Sequence, residues 1–222
     1  MHNLLKIYIS KSNQMAHKIL SNFLIIFLAI FGLNPTVECG SRARAYVEHQ
    51  CRSTIYIELC IRTLLPFASK TNAPGPEQLA RISLSMCLVK ARLTKAYVNM
   101  VAKDLNKTKI NARYYEAMTD CLSQINDGVS QITQSVKEQQ RMVLDGEKHF
   151  TWHESNVQTW VSTALTDVTT CLDMISDKAI GGKEKGMIKT RVLNVKHLAS
   201  NALALFNRFT TRHRGSRVIK TP

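Results

Sequence analysis

The sequence predicts an all-α protein built as an antiparallel four-helix bundle. Apolar residues recur in steps of three and four along four long segments, which places each set on one helix face. No alternation of period two has useful length, so strands are not expected. Nine Gly and five Pro in 222 residues are too few for a loop-rich all-β fold, and 45% hydrophobic content suffices for a core.

Phe23 to Leu33 is the longest apolar run, short for a bilayer span and preceded by Lys6, Lys11 and Lys18. We read residues 1–39 as a signal peptide, with Met15 a possible start. Cleavage is expected near Cys39, with Val37 at the third position before the cut. Secretion implies an oxidising compartment in which paired cysteines persist. The formal charge of +14 favours an anionic partner, whether nucleic acid, membrane surface or acidic polysaccharide. Secretion argues against nucleic acid, and removal of the signal argues against a membrane.

Residues 40–75 hold two short helical stretches, around Val47 and from Ile55 to Leu65, with Pro66 expected to end or kink the second. Such short helices must pack on a larger body or be stapled to it. The bundle is expected over 76–210. Pro74-Gly75-Pro76 opens its first helix, whose stripe reads Leu79, Ile82, Met86, Val89, Leu93, Ala96, Met100. The second stripe runs from Tyr114 through Met118, Cys121, Ile125 and Ile132 to Val136. The third runs from Val157 through Val161, Ala164, Val168 and Cys171 to Ile175, and the fourth from Ile188 through Val192, Val195, Ala199, Ala202 and Phe206 to Phe209. Turn signals separate them at 106–111, at Asp145-Gly146 and at Gly181-Gly182. Short loops between amphipathic helices make neighbours antiparallel. Residues 211–222 are read as a basic, solvated C-terminal tail.

Without Cys39, five cysteines remain. Cys51 and Cys60 flank a short helical turn and can close a local hairpin. Cys121 and Cys171 lie on the stripes of consecutive helices, within bridging range. Cys87 reads as a small buried apolar side chain and the free thiol. Spacing alone leaves other pairings open.

No phosphate-binding loop, nucleophile elbow or isolated carboxylate pair is present, so no catalytic residue and no cofactor are expected. His149 and His153 have the spacing of a zinc-binding helix but lack the accompanying Glu. They are read as part of a basic loop at a helix start, and no metal is expected. Asn106-Lys107-Thr108 is an N-glycosylation sequon, placed in an inter-helix loop.

From Val47 to Phe209 the chain resembles the plant invertase and pectin methylesterase inhibitor family. The marks are Cys51-x8-Cys60 with Thr54, Tyr56 and Leu64; Asp120-Cys121-Leu122 followed by Asp127; Trp160-x-Ser162-x-Ala164-Leu165-Thr166 leading to Thr170-Cys171-Leu172-Asp173; and Arg191-Val192-Leu193-Asn194-Val195 leading to Ser200-Asn201-Ala202-Leu203-Ala204-Leu205. The resemblance implies a disulfide-stapled bundle with an N-terminal helical hairpin extension and bridges between adjacent cysteines. It implies a non-enzyme, secreted to the apoplast or cell wall, that binds one carbohydrate-active enzyme 1:1 and covers its substrate cleft. Invertase inhibitors of the family commonly carry Pro-Lys-Phe near the start of the last helix. Here that region, Gly181 to Gly186, lacks it, so pectin methylesterase is the expected target and acid invertase the alternative. Asp127, Thr170 and Asp173 resemble the family's contact face. Ser123 and Ser130 stand where acidic residues are often found. The basic C-terminus suggests weak binding to acidic pectin, and the charge alone would also suit a cationic cell-wall-binding module.

Overall fold

A computed structural model describes residues 35–68, 74–108, 112–175 and 183–218. The run Phe23–Leu33 and the turn at Gly181-Gly182 lie outside the described residues. The chain divides into two units, 1–42 and 43–222. In the first, the described part is the opening of helix α1, Pro35–Cys51. The second contains the rest of α1, then α2 (Ile57–Ala68), α3 (Pro76–Thr108), α4 (Ala112–Asp145), a 3₁₀ turn (Gly146–His149), α5 (Phe150–Met174) and α6 (Lys183–Val218). The described residues contain no strand.

Helices α3 to α6 form the bundle. Its core takes Met118, Cys121, Ile125 and Ile132 from α4, and Val157, Val161, Ala164 and Val168 from α5. Helix α6 adds Ile188, Val192, Val195, Ala202 and Phe206. These are the stripes read from the sequence. The turn between α4 and α5 is tight because Gly146 adopts φ +60°, a conformation that costs a residue without Cβ little.

Helix α3 differs. Its expected stripe includes Val89, Leu93 and Met100, which are exposed, while the buried face carries Ala80, Ser83, Leu84, Cys87, Ala91, Thr94, Val98 and Ala102. Helix α3 has two faces with apolar residues. The inner one mixes Leu79, Leu84, Leu88 and Val98 with small and hydroxylated side chains, so the expected stripe starts on it at Leu79 and then drifts to the outer one. Cys87 is on the inner face, fully buried, and its Sγ lies 3.9 Å from the Val195 carbonyl oxygen.

Three further boundaries depart from the sequence reading. Pro66 lies inside α2, which runs on to Ala68. Only two residues follow it, so the hydrogen bond that proline cannot donate is lost where the helix is ending. Helix α3 runs through Thr108, placing the sequon's Asn106 on an exposed helix end instead of in a loop. Helix α6 passes residue 210 and continues to Val218. The residues read as a solvated tail are held in part by Glu147, which bonds His213 Nε2 at 2.7 Å, and by Glu154, which pairs with Arg214 at 3.2 Å.

Disulfides join Cys51 to Cys60 and Cys121 to Cys171, and Cys87 is free. The first bridge closes the turn between α1 and α2, and Asn201 of α6 holds that turn to the bundle. Its Oδ1 accepts from the Tyr56 backbone N–H at 3.2 Å, and its Nδ2 donates to the Tyr56 carbonyl at 2.9 Å. The Tyr56 ring stacks on His197 at 3.6 Å. Asn201 is 1% exposed, and its amide offers the acceptor and the donor that the two backbone groups require.

Replacing Asn201 with Leu leaves the part-buried Tyr56 N–H without a partner, while the Tyr56 carbonyl keeps only the Cys60 N–H at 2.9 Å. We expect a loss of about 2 kcal/mol in urea unfolding at constant m-value. Burial pushes the Cys87 thiol up to about 12. Iodoacetamide is therefore expected to label Cys87 only after denaturation, because the thiolate is the reactive form.

Candidate protein-docking face

Helices α4 and α5 pack closely along their length. The bridge ties Cys121 to Cys171, and two turns further along α4 Gly128 lies against Ala164 and Asp167 of α5. A Cβ on Gly128 would meet the Asp167 Cβ at 3.6 Å and the Ala164 carbonyl at 3.7 Å, ordinary contact distances. The helices are thus antiparallel and in fixed register over this span.

That register locates the candidate residues. Asp127, beside Gly128, is exposed. Thr170, next to the bridge, is half-buried, and its Oγ1 donates to the Thr166 carbonyl at 3.0 Å. Asp173 is exposed near the end of α5. No hydrogen bond among the described residues joins the three. They share the bridged helix pair, with Asp173 further around α5 than Thr170.

The structure adds Asp167, one turn before Thr170 and an electrostatic neighbour of Asp127. Its Oδ2 is buried with no hydrogen-bond partner among the described residues. Burial first, and then the Asp127 charge, push its carboxyl above the usual range. In the sequence Asp167 lies directly after Thr166 of the third family mark, but spacing gives no sign that it faces another helix. Helix α4 continues from Asp127 into a shallow groove of about 420 Å³ lined by Ser130, Thr133, Lys137, Arg141 and Trp160. The face therefore runs from paired carboxylates to two exposed cations. This offers an oriented charge pattern to a partner protein.

Beneath the cationic end lies a buried polar cluster. Glu138, 2% exposed, accepts from Asn156 Nδ2 at 2.7 Å, from Arg141 Nη1 at 3.2 Å, and meets His153 Nδ1 at 2.9 Å. His153 Nε2 is 3.1 Å from Asp145 Oδ2. Burial would raise the Glu138 carboxyl, but these bonds outweigh it and hold Glu138 below its ordinary value. His149 is exposed, whereas His153 is buried within α5, so the two do not form the basic loop read from the sequence.

A disulfide-stapled helical bundle with a charged face on one helix pair is a scaffold for binding another protein. The chain belongs to the family described as plant invertase/pectin methylesterase inhibitor, whose pattern it matches over residues 45–205. It is 38% identical over 193 residues to "Pectinesterase inhibitor 9" of Arabidopsis thaliana, covering 86% of this chain and 94% of that one. It is 33% identical over 196 residues to the "21 kDa protein" of Daucus carota, covering 88% and 98%. Its fold is similar to a crystal structure of a mutant form of a pectin methylesterase inhibitor from Arabidopsis. The TM-score is 0.53 at 17% identity, over 71% of this chain and 92% of that one. The family is one of inhibitors, not of catalysts.

A raised carboxyl holds its proton more tightly in the folded state. Its stabilisation is present below the unfolded value, about pH 3.9, and is lost as pH rises through the folded value. Asp167→Asn is therefore expected to raise the urea midpoint at pH 7 and to leave it nearly unchanged at pH 3.

Proposed function

We infer that this protein inhibits pectin methylesterase by binding it and covering its pectin-binding cleft, which would regulate demethylesterification of cell-wall pectin. The family match over nearly the whole bundle carries this reading. Relatives named as pectinesterase inhibitors favour that target over acid invertase. Inhibition needs no chemistry from the inhibitor. A helix pair fixed by a disulfide loses little freedom on docking, so more of the contact energy appears as affinity.

We further propose a 1:1 complex in which Asp127, Thr170 and Asp173 contact the enzyme. The aspartates would pair with basic groups of the target, and the Thr170 hydroxyl would donate or accept a hydrogen bond. Support comes from the exposure of Asp127 and Asp173 on the bridged pair and from the neighbouring Asp127–Asp167 charge. Secretion to the apoplast, a glycan on the exposed Asn106, and weak attachment to acidic pectin belong to the same reading. No helix among the described residues is long and apolar enough to cross a membrane.

Titration of the protein into pectin methylesterase and acid invertase assays side by side tests the target. Inhibition of the first is expected, and inhibition of invertase alone would refute the assignment. Thr170→Trp should raise the dissociation rate by roughly tenfold or more, with a smaller change in association and an unchanged helical circular dichroism spectrum. Undiminished inhibition after replacing Asp127, Thr170 and Asp173 together by Ala would move the contact elsewhere on the molecule.

A further inference from the structure

Where Tyr46, His49 and Gln50 meet the C-terminal part of α6, two arginines gather without a carboxylate paired to either. Arg208 and Arg212 are one turn apart on α6. Arg208 Nη2 approaches His49 Nδ1 at 3.5 Å, and Arg212 Nη1 donates to Gln50 Oε1 at 3.3 Å. Among the described residues neither guanidinium forms a salt bridge, although Arg214 on the same helix does. The Arg208 Nε–H is buried and has no hydrogen-bond partner there. The Tyr46 hydroxyl is within electrostatic reach of both guanidiniums.

A buried donor without a partner is destabilising, and two unneutralised guanidiniums one turn apart repel each other. Burial, and then the Arg212 charge, hold the Arg208 guanidinium below the usual arginine range. A bound anion would offset the repulsion. Guanidinium forks match the two oxygens of a carboxylate, and the Tyr46 hydroxyl can supply a further donor.

We propose that Tyr46, His49, Arg208 and Arg212 form an anion-binding site that takes the carboxylates of a polyuronate chain. The choice of polyuronate rests on the functional reading above. A pectin methylesterase converts neutral methyl esters into carboxylates, so the polymer around such an enzyme becomes a polyanion as the reaction proceeds. The site is well separated from the acidic end of the docking face. Gln158 of α5 bonds Asn207 of α6 at 3.0 Å, which sets Arg208 level with that part of α5. Thr170 is twelve residues further along α5, about 18 Å at 1.5 Å per residue. The inhibitor can therefore hold de-esterified polymer at one end while its α4–α5 face engages the enzyme.

The test measures binding of the purified full-length chain, at fixed ionic strength, to a de-esterified oligogalacturonide, to the same oligomer fully methyl-esterified, and to inorganic phosphate. Binding to the de-esterified oligomer alone is expected. Arg208→Gln with Arg212→Gln should weaken it at least tenfold. The single change Arg212→Gln, at an exposed position, should weaken it by a smaller but measurable factor. Arg81→Gln with Lys90→Gln removes the same charge from exposed positions on α3 and should change binding less than twofold. Equal weakening by the two double variants would overturn the site, since net charge alone would then explain the binding. Equal affinity for the methyl-esterified oligomer or for phosphate would overturn the polyuronate assignment. Inhibition of pectin methylesterase by the Arg208/Arg212 variant should match that of the unmodified protein. Oligomer binding by a protein that inhibits no pectin methylesterase supports the site and refutes only the functional reading.

Discussion

The register between α4 and α5 is the constraint on which the functional face depends. Cys121 is tied to Cys171, and Gly128 rests on Ala164. Each step is seven residues, forwards on α4 and backwards on α5, so the two helices stay level over two turns, about 10 Å. A slip of one residue would turn Asp127 by about 100° relative to Asp167 and dissolve the acidic end of the face. The bridge holds this register from the end near Thr170. At the other end Glu138 of α4 binds His153 and Asn156 of α5. A covalent tie and a buried charged cluster thus hold the same pair from opposite ends.

The acidic end illustrates how a docking face differs from a core. A core would not place Asp167 beside Asp127, because the pair raises the proton affinity of a half-buried carboxyl and leaves one oxygen without a partner. That cost is retained where a partner protein could supply the missing donors. Glu138 is the contrasting case. It is more deeply buried, yet three side-chain bonds hold its carboxyl below the ordinary range. Two acidic residues on the same helix pair are thus shifted in opposite directions, one with its partners inside the molecule and one without them.

Much of the fold was legible because three helices put their large apolar residues inward. Periodicity found the inner faces of α4, α5 and α6. On α3 it found Leu79 and then drifted, because Ala80, Ser83, Ala91 and Thr94 share the inner face with Leu84 and Val98 while Val89, Leu93 and Met100 are left outside. Size was the wrong guide there because small side chains are what permit close approach between helices. The C-terminus was misread for a related reason. A run rich in Arg and His resembles a solvated tail, yet Glu147 and Glu154 lie far away in sequence and capture His213 and Arg214. Local composition cannot reveal partners that only the packed fold supplies. The candidate face was legible in part. Asp127, Thr170 and Asp173 followed from motif resemblance, while Asp167 depended on the angle at which α5 meets α4.

The same captured C-terminus explains how the molecule comes to have a second charged region. His213 stacks on Phe150 at 4.2 Å while bonding Glu147, and Phe209 packs edge-on against Phe150 at 6.1 Å. These contacts extend α6 past the end of the hydrophobic core and hold it against the start of α5. Once the helix is held there, the 3.6-residue repeat fixes the direction of its remaining side chains. Arg214 turns to Glu154, while Arg208 and Arg212 turn to α1, where they meet Tyr46, His49 and Gln50 and no carboxylate. The excess positive charge on that side is therefore a consequence of packing as much as of composition. A frayed tail would have spread the same arginines through solvent, whereas a docked helix holds two of them one turn apart, one carrying a buried, unsatisfied N–H.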